Sequence, residues 1–249
     1  LQRISLNGRY KYHDFIFNDP MLVSLHADDR WEPLLEVIKT NKANADAKLD
    51  MELVTMLNSI QELRMQQQQQ EYDVYQKSGI FSQDLQNQNY IRRVNDSIHL
   101  SRVLSILDSR GWPGDAEIRE GGGQTIAMIL SLADIKTREK YLPMLRDAVK
   151  LGKTSGETLA SYEDDLSSQK YGRQIYGSNV RYDQETQQYY VGPLEDPDNV
   201  DKRRKEIGIQ PLGEYLKYFK IKWDVETYKK ELPKWLEVEK KRKAGKKRK

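Results

Sequence analysis

Between Gln174 and Arg204 the chain reads QIYGSNVRYDQETQQYYVGPLEDPDNVDKRR, which sets Glu195, Asp196, Asn199 and Asp201 just ahead of the paired Arg203 and Arg204. Carboxylates so grouped could act as an acid and base pair or hold a hard cation through oxygen ligands. Two adjacent guanidiniums could clamp a carboxylate or a phosphate. The same residues also spell a turn and a helix start: Asp196-Pro197 turns the chain, Asn199 or Asp201 caps, and Lys202 to Lys205 follow as solvated helix. The structural reading is preferred, because ion networks are commoner than catalytic sites. DPDNVD lacks the Gly and the terminal Glu of a calcium loop.

Other chemistries have less to stand on. The chain has no cysteine, which removes thiol catalysis, thiolate metal sites, disulfides and a lipid-bearing cysteine within it. His13, His26 and His99 stand far apart, and an isolated histidine among aliphatics is more often a satisfied core or rim residue than a ligand. Gly121-Gly122-Gly123 ahead of a helix invites a phosphate-loop reading. That reading fails, since the Lys-Ser/Thr of such a loop is missing and no buried strand precedes it. No metal and no cofactor is expected.

The charge is unevenly distributed. The last eleven residues, EKKRKAGKKRK, hold eight Lys or Arg, and the remainder carries 33 basic against 37 acidic residues, a net charge of −4. Such a tail could attract nucleic acid, anionic headgroups or an acidic protein face, but a solvated, disordered terminus is the preferred reading. With 37 % hydrophobic and 32 % charged residues, much of the chain must be solvated helix or extended tail. No run approaches the roughly 18 apolar residues of a spanning helix.

The elements that position these groups read as helices. Asp19-Pro20 opens a short one and Asp28 or Asp29 the next, with Leu22, Leu25, Trp31, Leu34, Leu35 and Ile38 at helical spacing. A long helix is expected from about Ala45 to Lys77, with Gln66 to Gln70 as solvated surface, and another from Asp84 to Arg110. Helices follow over Thr125 to Asp134, Thr137 to Leu151 and Ser155 to Lys170. Ser178 to Tyr182 and Gln188 to Gly192 alternate around DQET as a β-hairpin. Its Tyr182, Tyr189 and Tyr190 could stack a sugar or a base, although packing on the helices is commoner. A last amphipathic segment carries Trp223, Tyr228, Leu232, Trp235 and Leu236, interrupted by Pro233. The expected fold is mainly α, a helical bundle or array with one small β-hairpin in its C-terminal domain. The expected divisions are 1–44 as the end of a helical-repeat-like unit, 45–110 as a long helical segment, 111–238 as a second domain with the hairpin at 178–192, and 239–249 as the tail.

Two resemblances add to this. The Asp-Pro helix, the Asp28-Asp29-Arg30-Trp31 turn and the Leu-Leu helix resemble the terminal unit of bacterial tetratricopeptide-type arrays, which implies helical repeats before Leu1. A chain opening at Leu1 rather than Met also implies a processed or trimmed start. Over roughly Ser101 to Lys234, the blocks LDSRGWPG, IAMILSLADIKTREKYLPMLRDAVKLGK, YEDDLSSQKYGRQIYGS and PLEDPDNVDKRRKEIGIQPLGEYLK resemble an uncharacterised bacterial family that shares them in this order. The resemblance implies an exported envelope protein, since many members of that family are predicted to be exported in Gram-negative bacteria, often behind tetratricopeptide-like repeats.

The resemblance implies a set of polar positions, and this chain departs from them. Ser131-Leu132-Ala133-Asp134 stands where Gln-His-Ala-Asp is usual, Glu163-Asp164-Asp165 where Glu-Asp-Arg is, and Tyr176-Gly177-Ser178-Asn179 where the last residue is Gln. The lost imidazole would be the natural base or metal ligand. What remains is a candidate cluster of Asp134, Asp164, Gln174, Tyr176, Glu195, Asp196, Asn199, Asp201, Arg203 and Arg204, in which Asp134 and Asp164 could instead cap helices or pair with the arginines. The leading expectation is a non-catalytic interaction or scaffold subunit of a cell-envelope assembly, in the periplasm or at the outer membrane, with protein partners, a membrane-associated complex among the options. A cytoplasmic location is the alternative. The rivals are a hydrolase using Asp134, Asp164 and Glu195-Asp196, and nucleic-acid or anionic-surface binding through the tail, of which nucleic acid is disfavoured.

Overall fold

The computed structural model describes residues 2–7 and 10–247. Its fold is mainly helical with a single two-stranded hairpin among those residues, as the periodicity predicts. None of the described helices is long and apolar enough to cross a membrane.

The chain begins with α1 (Gln2–Leu6), α2 (His13–Asn18), a 3-10 turn (Pro20–Leu25) and α3 (Trp31–Asp46). Asp19 starts the 3-10 turn by accepting the Met21 N–H at 2.9 Å, with Pro20 where no donor is needed. Asp28 accepts the Arg30 N–H at 2.9 Å just ahead of α3. Ile16, Trp31, Leu35 and Ile38 form a small core of their own. The rings of His13, Phe17, His26 and Trp31 stack beside it in series, at 5.9, 6.1 and 4.5 Å.

Two long helices follow, α4 (Met51–Ser78) and α5 (Gln83–Arg110). The first starts later than Ala45, because Ala45 and Asp46 finish α3 and Asp50 supplies the cap, accepting the Leu53 N–H at 3.0 Å. Gly79, at φ 77°, closes α4 in a conformation a side chain resists, and Ser82 caps α5. The pair is antiparallel, as its ion pairs show: Asp50 meets Arg110 at 2.6 Å, Arg64 meets Asp96, and Glu71 meets Arg92 at 2.6 Å. Each helix spans about 42 Å at 1.5 Å per residue. Of the glutamine run only Gln67 is buried.

The base of this arm is built into the main core. Leu53, Leu57 and Ile60 of α4 and Val103 and Leu107 of α5 join one apolar cluster with residues of α6 (Asp115–Ile118), α7 (Gly122–Leu130), α8 (Ile135–Lys150) and α9 (Gly156–Tyr171). The expected division at residue 110 is therefore corrected, since the arm supplies one side of the core that α7 to α9 complete. α7 also starts earlier than Thr125 and stops at Leu130. Its glycines serve close packing: a Cβ on Gly122 would lie 2.8 Å from Ile118 Cδ1 and one on Gly123 2.5 Å from Thr154 Oγ1.

The hairpin, β1 (Val180–Asp183) and β2 (Gln188–Val191), pairs Val180 with Val191 and Asp183 with Gln188. Next come α10 (Val200–Glu206), α11 (Leu212–Leu216) and α12 (Val225–Lys247). Val191, Leu194, Val200, Leu212, Leu216 and Tyr228 make a second core beneath the hairpin. Tyr190 stacks on Trp235 at 4.4 Å, whereas Tyr182 and Tyr189 lean together at 5.0 Å and stay half-exposed. α12 runs through Pro233 and on to Lys247. The expected tail from 239 is corrected on this point, because Glu239 is buried between Arg181 and Arg242 and accepts the Tyr190 hydroxyl at 2.8 Å. Arg248 and Lys249 lie outside the described residues.

Candidate functional site

The loop Gln174 to Asn179 is where the candidate polar residues meet. Asp164, in the middle of α9, is fully buried and turns its carboxylate onto the loop's amides. Oδ1 accepts the N–H of Ile175 at 2.6 Å and of Tyr176 at 2.8 Å, and Oδ2 accepts that of Ser178 at 2.6 Å. Burial pushes this carboxyl above the ordinary range, while the three N–H donors pull it the other way. From the opposite side Arg203 donates to the Ile175 carbonyl at 2.8 Å and the Asp196 carbonyl at 2.6 Å. Arg204, also buried, donates to the carbonyls of Tyr176 at 2.8 Å and Gln210 at 2.7 Å. Gln174 closes the loop on itself, its Oε1 accepting the Asn179 N–H at 2.8 Å and its Nε2 donating to the Asn179 carbonyl at 3.2 Å.

Asp164, Gln174, Tyr176, Arg203 and Arg204 are thus brought together, but as a staple for one loop. The expected pairing of Asp164 with the arginines is corrected: they bind peptide groups of the same loop, Arg203 sharing the 175–176 peptide with Asp164 and Arg204 taking the next one, where backbone donors and acceptors, left unpaired by the lack of regular structure, must be satisfied. Asp134 stays apart, capping α8 through the Thr137 N–H at 3.0 Å and hydroxyl at 2.8 Å, which holds its carboxyl below the usual range. Asp201 accepts the Leu212 N–H at 2.7 Å and so ties α10 to α11. Asn199 donates to Asp196 at 2.9 Å and makes no side-chain cap on α10. Among the described residues no group of three or more His, Asp or Glu is placed to hold a metal ion.

Behind the staple lies a cavity of about 460 Å³ between α8, α9 and residues 173–195. Leu142, Leu166 and Ile175 give it apolar walls, and Glu195 stands on its lining. Glu163 forms part of the floor, 3 % exposed and paired with Arg146 Nε. The Tyr176 hydroxyl is raised far above its ordinary value by burial and by the Glu163 carboxylate beside it. A second, wider groove of about 750 Å³ runs between α4, α7 and α9. Three of the positions where the sequence departs from the pattern it resembles, Ser131, Asp165 and Asn179, line it together, whereas Leu132, in place of the usual histidine, is not on its lining. Asp165 there meets the wholly buried Arg138 at 3.0 Å.

A comparison with family profiles matches residues 47–227 to one described as a family of unknown function. The chain belongs to that family, DUF6624. Comparisons with curated proteins and with solved structures find no match for the chain. The DUF6624 match opens just ahead of α4, so both long helices fall within it, whereas the sequence reading began the corresponding domain at 111. The unit from α1 to α3 lies before it.

Within the DUF6624 region, sequence reasoning chose Asp164 and passed over its neighbour Glu163. A signal was present: Glu163, Leu166, Ser167 and Lys170 recur at the spacing of one helix face, and all four line the cavity. Arg146 had no local signal, because its partner Glu163 lies on the next helix.

Proposed function

We propose that this DUF6624 member is a non-catalytic interaction subunit of a protein assembly, with the α4–α5 arm as the surface that holds its partner. The exposed side chains of the arm's distal half carry this reading. Phe81 at the tip is 86 % exposed, and Tyr72, Tyr90, Ile91, Val94 and Ile98 are exposed along the helices behind it. An array of large apolar groups on a projecting helix pair, away from the core it could otherwise join, marks a contact site. The partner is a polypeptide that lays an apolar helical face on this arm. The polar residues give independent support, since Asp164, Arg203 and Arg204 have backbone groups as their partners rather than a shared reacting centre. The envelope location in this proposal is supported by the resemblance of the segment from α2 to α3 to the end of a tetratricopeptide array and of the sequence blocks to a family with many members predicted to be exported.

The test is affinity purification of the native protein from its own envelope and cytosolic fractions, with mass spectrometry of co-purifying chains. The expected result is a stoichiometric protein from the envelope fraction that is lost in a Phe81→Asp, Ile91→Asp double variant of unchanged stability. A partner held equally by the double variant, or no stoichiometric partner in either fraction, refutes the proposal.

A further inference from the structure

The cavity between α8 and α9 has the size and lining of a small-molecule site, and nothing in the proposed arm contact uses it. Its volume of about 460 Å³ lies within the usual span for such pockets, roughly 300 to 1,000 Å³. Six charged side chains line it, in equal numbers of each sign: Arg146, Lys170 and Arg173, and Glu139, Glu163 and Glu195. Four of them are already matched within the protein. Glu163 pairs with Arg146 and Glu139 with Lys170. That leaves Arg173 and Glu195, whose side chains have no hydrogen-bond or ion-pair partner among the described residues.

Arg146 is matched only in part. The floor carboxylate of Glu163 takes its Nε, and no partner among the described residues takes its two terminal nitrogens, although half of the side chain is exposed. A guanidinium fixed along one edge presents the remaining donors as a planar fork suited to a carboxylate. The cavity therefore offers a fork and a free cation, a free anion, and the apolar surface of Leu142, Leu166 and Ile175.

We infer that this cavity binds a small zwitterion with an apolar body, of the class of an apolar amino acid. Arg146 and Arg173 receive its carboxylate, Glu195 its ammonium, and Leu142, Leu166 and Ile175 its side chain. The charge count supports a zwitterion over a simple anion, because an anion would leave Glu195 facing it unmatched and would be repelled.

Three compounds sharing one ring dissect the inference: L-phenylalanine, 3-phenylpropanoate without the ammonium, and phenethylamine without the carboxylate. Calorimetric titration of the full chain is expected to show phenylalanine binding, with each of the other two weaker by about tenfold or more, the factor for one hydrogen bond to a charged group. Arg173→Gln is expected to weaken phenylalanine and 3-phenylpropanoate and to leave phenethylamine unchanged; Glu195→Gln does the reverse for the two monoions. Both side chains are exposed and unpartnered, so these variants keep the fold. Failure of phenylalanine to bind, equal binding of either monoion, or indifference to both variants overturns the inference. None of these outcomes bears on the partner of the arm, which the pull-down reads separately.

Discussion

Asp164 and Arg204 make no hydrogen bond or ion pair with each other, yet both are bonded to Tyr176, the carboxylate to its N–H at 2.8 Å and the guanidinium to its carbonyl at 2.8 Å. One residue outside any helix or strand is held through the two peptide units that flank it, on one side by α9 and on the other by α10. Buried charge is tolerable here because each group meets several oriented dipoles. This arrangement turns the acid and arginine content of the family region into architecture.

Removing the carboxylate should therefore unfold more than a contact. Asp164→Ala leaves the N–H groups of Ile175, Tyr176 and Ser178 without acceptors in a buried loop. We expect a loss of about 3 kcal/mol in urea denaturation, the scale for breaking a buried charged network. Asp134→Ala, which removes an exposed cap, should cost about 1 kcal/mol in the same assay.

Alkaline titration should expose the buried tyrosines late. Burial is the first cause that holds Tyr162, Tyr190 and Tyr228 up at about 12 from an ordinary 10.0. A raised folded pKa means that the native state keeps the proton longer than the unfolded one. The stability so contributed is complete below pH 10 and disappears as pH rises from 10 towards 12. Tyrosinate absorbance should rise in that window together with loss of helical circular dichroism; full ionisation before any unfolding contradicts the burial.

Glycine substitutions separate crowding from backbone strain. A Cβ on Gly156 would stand 2.0 Å from the Ile207 carbonyl oxygen, which is backbone and cannot swing aside. Gly156→Ala should lower stability by about 3 kcal/mol. Gly79→Ala meets nothing within 4 Å and suffers only its φ of 77°, so about 1 kcal/mol is expected. Thermal midpoints of the two variants measure the difference.

The end of α12 should behave as structure as far as Glu239. Glu239→Ala removes the acceptor of Tyr190 and the partner of Arg181 and Arg242, a loss of about 2 kcal/mol. Glu237→Ala, whose exposed carboxylate pairs among the described residues only with Lys240, should leave the midpoint unchanged.

Much of the fold was legible in sequence because its signals are local. Asp134 and Ser155 cap α8 and α9, and the strands flank DQET, since a cap or a turn is decided within three or four residues. Apolar spacing likewise marked α3 and α8 as helices with one buried face. Only tertiary structure decided what those faces meet. Arg203 reaches Ile175 and Arg204 reaches Tyr176 across 28 positions, and Arg146 reaches Glu163 across 17. Glu163 and Asp164 are adjacent in sequence, but a step of about 100° around α9 sends one to the cavity floor and the other to the loop staple. The joining of the arm's base to the main core and the anchoring of Glu239 under the hairpin follow the same rule. Periodicity says that a face is buried, and the partner that buries it is set by packing between elements distant in the chain.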